Sequence, residues 1–136
     1  MECLSVPIPV PAIQVTENDG KSADWDAYVA AHPQATFFHQ YDWLKLVEEV
    51  YGGTPHHLAA YQEERVVGVL PLMQRLVIGP GQILMSVPFA DEGGLIADSP
   101  AAQAALLQAA RELGQRQGAG YVELRQAYSL GDDFAA

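Results

Sequence analysis

Apolar and polar positions alternate from Ala12 through Ile13-Gln14-Val15 to Thr16, a period of two that predicts a first strand, and Asn18-Asp19-Gly20 turns the chain out of it. The period then changes. Ser22 is a fitting N-cap for a short helix, with Asp24 and Asp26 in its positive first turn and Trp25, Val29 and Tyr28 on its apolar face, until His32-Pro33 stops it. A second helix is predicted over 43–51, opened by Gln40 or Asp42 and closed by Gly52-Gly53, with a broad stripe of Trp43, Leu44, Leu46, Val47, Val50 and Tyr51. From Thr54 the chain reads as extended: a strand over 57–61, a polar turn at Gln62-Glu63-Glu64-Arg65 and a strand over 66–73, together a hairpin. Pro71 removes one ladder donor, so it belongs at a bulge or where the strand loses its partner. Gly79-Pro80-Gly81 leads into a strand over 82–87, followed by the irregular Pro88-Phe89-Ala90-Asp91-Glu92-Gly93-Gly94 and by Leu95-Ile96-Ala97. Ser99-Pro100 opens a long helix that Gly118 ends, and 120–125 is a last, mostly apolar strand.

The order is strand, two helices, three antiparallel strands, helix, strand. It defines an α/β (α+β) fold with flanking helices and a mixed, mostly antiparallel sheet of about five strands. The last helix is a crossover that makes the strands on either side of it parallel neighbours. With 136 residues the chain holds one core. Residues 1–11 form a Pro-rich leader, 12–125 a single domain, and 126–136 a patternless tail expected to be mobile.

Charge narrows the function. Seventeen acidic residues stand against seven basic ones, and the net charge of -10 opposes binding to DNA and to anionic membrane surfaces. The longest apolar stretches, 66–72 and 82–90, fall far short of the roughly 20 residues of a membrane span, so no membrane insertion is expected. The start carries no basic region followed by an apolar run, and the single Cys3 permits no internal disulfide and no thiol metal cluster. A cytoplasmic protein is the expectation, with Cys3 an incidental thiol.

Five stretches, taken in order, carry a family likeness: Trp25-Asp26-x-Tyr28-Val29; Thr36-Phe37-Phe38-His39 with Trp43 four residues on; Val66-Val67-Gly68-Val69-Leu70-Pro71-Leu72; Ser86-Val87-Pro88-Phe89 with Gly93-Gly94; and Tyr121-Val122-Glu123-Leu124-Arg125. Together they resemble the N-terminal half of FemAB-related proteins, whose chains contain two halves of the GNAT (N-acetyltransferase) fold in tandem. The resemblance implies a GNAT-like half-domain that takes part in acyl or aminoacyl transfer to an amine, in cell-envelope or exopolysaccharide chemistry. It also implies a second GNAT-like half, or a second copy of the chain, as partner. The acceptor would be a small molecule or a peptidoglycan or polysaccharide precursor.

A working GNAT site holds the donor's pyrophosphate on free amides at the start of the crossover helix, where the helix dipole favours anions. Here that helix begins Asp98-Ser99-Pro100. Ser99 caps the amides with its own oxygen, Pro100 lacks one, and Asp98 adds negative charge. The expectation is that this half binds no cofactor, with acyl-CoA or aminoacyl-tRNA left to a complete enzyme, and that alone it is inactive. A non-catalytic GNAT-like binding or dimerisation module is the alternative.

Seven residues are candidates for the substrate side: His39, Tyr41, Phe89, Asp91, Glu92, Gly93 and Gly94. His39 opens the second helix and offers a base or a donor, although a ring held by helix-start backbone is the commoner use of a histidine there. Tyr41 offers an amphipathic ring, whereas Phe38 and Trp43 at helical spacing are assigned to packing. The segment from Pro88 to Gly94 exposes backbone, its glycine pair admits close approach, and Asp91 or Glu92 can accept from an amine or hydroxyl. Related sequences often carry an aromatic residue where Glu92 stands, so the substrate class does not transfer. His56-His57 lie on opposite faces of a strand with no third ligand at metal spacing, and Ser86 has neither a nucleophile elbow nor a triad.

Overall fold

The computed structural model describes residues 12–17, 22–77, 79, 81–86, 94–124 and 126. The leader 1–11, the turn at Asn18-Asp19-Gly20, four of the seven candidate residues (Phe89, Asp91, Glu92 and Gly93) and the tail beyond Gln126 lie outside the described residues.

Five strands are present as expected, and three of them are broken. β1 (Gln14–Glu17) is followed by α1 (Ser22–Ala31), a 3₁₀ turn (Phe37–His39) and α2 (Tyr41–Tyr51). The next strand is divided into β2 (Thr54–Pro55) and β3 (Leu58–Gln62), the one after it into β4 (Arg65–Leu70) and β5 (Leu72–Val77), and the third into β6 (Gly81–Ser86) and β7 (Ile96–Ala97). α3 (Pro100–Gln117) then crosses over to β8 (Val122–Glu123). The breaks fall at one level, so the expected single sheet separates into two four-stranded sheets, ordered β1-β3-β4-β7 and β2-β5-β6-β8. Every pairing is antiparallel except β6 with β8, the parallel pair that the crossover helix predicts.

The register locates the cause. Leu58 faces Leu70 and Pro55 faces Met73 in one continuous register, so the gap falls at Pro71, which has no N–H to give. On the other side Ser86 faces Leu72 while Ile96 faces Val69, so the sequence has nine residues between these two positions where the partner strand has two.

Two apolar layers hold the strands. Leu58, Ala60, Val67, Leu70, Leu72, Leu84 and Leu95 pack against Ala102, Leu106, Leu107, Ala110 and Leu113 of α3. The opposite pleat, with Ala59, Val69 and Ile96, packs on Trp25 and Val29 of α1 and Leu44 of α2. Of the stripe expected on α2, only Leu44 and Val47 are buried, and Leu46, Val50 and Tyr51 remain about half exposed. α3 begins as read from the sequence, with Ser99 Oγ accepting from the Ala102 N–H at 3.1 Å and Pro100 in the first turn. α2 has Gln40, one of the two caps read from the sequence, as its N-cap and starts two residues earlier than read; the Gln40 side chain makes no capping bond, and the Tyr41 N–H is received at 3.0 Å by Asp26 of α1.

Two substitutions test this packing. A methyl group at Gly68 would stand 2.8 Å from Leu106 Cδ1 and 3.2 Å from the Ile96 carbonyl oxygen. Gly68→Ala is therefore expected to lower the unfolding free energy by about 1–3 kcal/mol in urea titrations, because the helix must lift from the sheet. Glu63 and Glu64 at the β3–β4 turn both have positive φ, 51° and 66°, the conformation that Asn-Gly adopts without strain. The double change Glu63→Asn, Glu64→Gly is expected to raise stability by about 1 kcal/mol in the same assay.

Candidate functional site

At the level of the breaks, backbone groups that lose ladder partners are taken by side chains. Leu72 receives the His56 N–H on its carbonyl oxygen at 2.8 Å and gives its own N–H to His57 Nδ1 at 3.2 Å. Nδ1 of His57 is thus an acceptor and Nε2 carries the proton. The His57 ring packs on Trp25 at 5.7 Å and on Tyr41 at 6.3 Å, and its Nε2–H has no hydrogen-bond partner among the described residues. Burial, with the neighbouring His56 second, pushes the His57 pKa down to about 4. At neutral pH His57 is an uncharged N–H donor between two aromatic rings.

His39 forms the second anchor. Thr36 Oγ1 accepts from the Phe38 N–H at 3.2 Å, and the Thr36 N–H bonds to His39 Nδ1 at 3.0 Å, a capping box in which imidazole takes the place of glutamate. Nδ1 accepts, so Nε2–H donates to the Gly94 carbonyl at 2.7 Å. The His39 carbonyl in turn accepts from Trp25 Nε1 at 2.7 Å. Burial holds the His39 pKa below its ordinary value, against the hydrogen bond to Gly94 that raises it. His39 is 1% exposed with both ring nitrogens engaged, which suits it to positioning Gly94 and leaves no free nitrogen for a base.

Of the seven residues read from the sequence, His39, Tyr41 and Gly94 meet here through Trp25, and Phe89, Asp91, Glu92 and Gly93 lie outside the described residues. His57 was set aside with the metal reading of His56-His57. Its signal was position, since it stands in register with Pro71. The two histidines do diverge: His56 contacts Glu17 Oε1 at 3.2 Å and Gln74 Oε1 at 2.8 Å, away from the aromatic pair. Among the described residues no group of three or more His, Cys, Asp or Glu could hold a metal ion.

The start of α3 is occupied by its own chain. Ser99 Oγ takes the Ala102 N–H, the Ser99 carbonyl takes the Gln103 N–H, and Pro100 has none. Asp98 accepts from the Tyr28 hydroxyl at 2.8 Å and lies 3.8 Å from His32 Nε2. Burial, then the Asp98 carboxylate, holds the Tyr28 pKa above its ordinary value. These residues do not fit a pyrophosphate. Grooves of about 320 and 460 Å³ nearby share Asp24 and Glu64 in their walls, again unfavourable to anions. The outer edge of β7 is also filled, since the Gln126 carboxamide accepts from the Leu95 N–H and donates to the Leu95 carbonyl.

No family model matches the sequence, and no curated protein matches it. Among solved structures, the fold is similar to that of FemX, with a TM-score of 0.63 and 21% identity over 78% of this chain. The chain spans a quarter (25%) of the length of that protein. It is also similar to a transcriptional regulator from Bacillus halodurans C-125 (TM-score 0.57, 11% identity, 92% of this chain and 98% of that one). A GNAT family acetyltransferase of Staphylococcus aureus subsp. aureus USA300_TCH1516 is matched with TM-score 0.57 and 11% identity, over 91% of this chain and 93% of that one. The fold is GNAT-like and similar to that of FemX, as the resemblance implied. No helix among the described residues is long and apolar enough to cross a membrane.

The neutral histidines make stability depend on pH. An unfolded histidine titrates near pH 6.5, above its depressed value in the fold, so between those values the unfolded chain binds more protons. The stabilisation from His57 is complete above about pH 6.5 and is lost as pH falls toward about 4. His57→Gln, which keeps an acceptor for the Leu72 N–H, is expected to remove on the order of 3 kcal/mol of that acid-side loss. Urea unfolding of both proteins from pH 4 to 7.5 measures the two slopes, and equal slopes would show that His57 does not contribute.

Proposed function

We propose that the chain is the acceptor-recognition half of a FemAB-like N-acyltransferase, acting in the cytoplasm and inactive alone. The acceptor, an amine-bearing envelope or polysaccharide precursor, sits at the sheet junction. His57 Nε2–H donates to its carbonyl, Tyr41 supplies a ring face, and Asp91 or Glu92 accepts from its amine, with Phe89, Gly93 and Gly94 shaping the approach. The donor, acyl-CoA or aminoacyl-tRNA, is held by a second GNAT-like half. One observation carries the reading: a buried N–H donor, without a partner among the described residues, and two aromatic rings gather at the junction, while the helix start that would hold a pyrophosphate is filled by Ser99, Pro100 and Asp98. The exposed apolar residues Leu46, Val50 and Leu76 give the partner half a surface to cover.

A second reading, a non-catalytic GNAT-like binding or dimerisation module, draws on one of the two comparisons that run nearly end to end, the other being an acetyltransferase. A chain of this size and fold makes up 98% of a protein described as a transcriptional regulator. The charge of -10 then points to a protein partner and away from DNA.

Calorimetric titration of the chain with acetyl-coenzyme A is expected to give no saturable isotherm, and a one-site micromolar isotherm would reject the assignment of the donor to another half. In an enzyme completed by that half, Asp91→Ala or Glu92→Ala is expected to lower acyl transfer about ten- to a hundredfold. That corresponds to loss of a charge-assisted hydrogen bond of about 1.5–3 kcal/mol, with the melting temperature unchanged. Full activity in both variants would favour the module.

A further inference from the structure

α2 carries a second apolar row that the core leaves uncovered. Leu44 and Val47 are buried, whereas Leu46 and Val50, one helical turn apart on the outer side, are 49% and 61% exposed. The row continues toward the helix start through half-buried Trp43, three residues before Leu46, to Phe37, whose ring lies 5.5 Å from that of Trp43 and is 58% exposed. Single apolar residues are ordinary on a surface, but a continuous row along one helix marks a docking face.

Shape and charge narrow what can cover it. The helix bonds its own backbone along this length, so the row has no free N–H or C=O to offer an added strand. Leu46 and Val50, four apart, instead form a ridge of the kind that packs into the groove between the ridges of a second helix. Along the side of this ridge that faces away from the core run exposed Asp42 and Glu49, seven residues apart and so in line, with exposed Lys45 between them. Neither carboxylate makes a hydrogen bond or ion pair among the described residues. The flank is thus acidic, two carboxylates against one ammonium, in a chain of net charge -10. A second copy laid antiparallel along the row would set this flank against its own equivalent, and like charges repel. A helix with lysine or arginine on that side is attracted instead.

We propose that the outer row of α2 docks an amphipathic helix of another polypeptide, whose apolar ridge packs on Leu46 and Val50 beside Phe37 and whose basic flank faces Asp42 and Glu49. The face serves the partner half of the first reading and the protein partner of the second alike. Its test reads binding and not transfer, so its failure is distinct from failure of the acyl-transfer reading.

The probe is a fluorescein-labelled helical peptide of about 15 residues, with leucine at i, i+4 and i+7 and lysine along one flank of that stripe. The same peptide with glutamate for lysine is the control, and both are titrated with the whole chain by fluorescence anisotropy. Saturable binding of the lysine peptide is expected, at least about tenfold tighter than that of the control. Leu46→Ala is expected to weaken it about tenfold with the melting temperature unchanged, because Leu46 is half exposed. The double change Asp42→Lys, Glu49→Lys is expected to reverse the preference toward the glutamate peptide. No saturable binding, equal affinity in wild type and Leu46→Ala, or an unreversed preference in the double variant would each overturn the proposal. So would a dimer in sedimentation velocity that Leu46→Ala dissociates, which assigns the row to a second copy, or Leu46-dependent partition onto phosphatidylcholine vesicles, which assigns it to a lipid surface.

Discussion

Pro71 is the constraint on which the rest of the structure depends. A ladder of three antiparallel strands needs an N–H at each alternate position, and at this level the central strand has none. The neighbouring strand answers with side chain in place of backbone, His57 Nδ1 taking the Leu72 N–H. On the third strand the sequence between the registered positions Ser86 and Ile96 is longer, nine residues against two. Freed from a common register, the two ends of the ribbon diverge, so β8 pairs with β6, and among the described residues no strand lies outside β7. The Gln126 carboxamide, which has the donor and acceptor of a peptide unit, stands in for the missing strand at Leu95. α3 packs across both sheets and holds them as one body.

The Trp25-Asp26-x-Tyr28-Val29 stretch is a set of ties made by one helix. Trp25 Nε1 fixes the His39 carbonyl, Asp26 caps α2 at Tyr41, Tyr28 reaches Asp98 before α3, and Val29 enters the core. The three hydrogen-bonded ties each span at least 14 residues of sequence and end at His39 just before α2, at the first residue of α2 and just before α3. These residues serve assembly, so the likeness of this stretch to FemAB-related proteins speaks for the fold more directly than for the chemistry.

What could be read from the sequence follows the range of the forces involved. Local signals were legible: the Ser99-Pro100 start and Gly118 end of α3, the turn between β3 and β4, and the consequence of Pro71 all arise within a few residues. Distant partners were not. Gln40 is the N-cap of α2 as read, but the side-chain acceptor at that helix start is Asp26 on another helix. The stripe on α2 was read wider than the face it buries, because periodicity reports which residues are apolar and not how much sheet is there to cover them. At the site, His39, Tyr41 and Gly94 were singled out and do come together, yet His57 was weighed only as a metal ligand. Its place beside Tyr41 depends on the break at Pro71 and on α1 packing over it, neither visible in the residues around it. Gln126, assigned to the tail, is held by Leu95 for the same reason.

Electrostatics separates the two sides of the molecule. A ligand approaching α3 meets Asp98 and, in the adjoining grooves, Asp24 and Glu64, with no lysine or arginine but Arg65 in those walls. The field there disfavours phosphates and attracts ammonium groups, and the excess of acidic residues gives it the same sign at long range. Among the described residues at the junction, His39 and His57 are both held neutral by burial. A neutral buried donor discriminates by hydrogen-bond geometry and not by charge, because an unmatched carbonyl beside it would stay unpaired. Under the proposed function, an acceptor that carries both an amine and amide carbonyls would be drawn by the acidic surface and selected by that donor. A nucleotide-bearing donor would be repelled by the same surface, so the proposed division of labour agrees with the charge of the chain as well as with the start of α3.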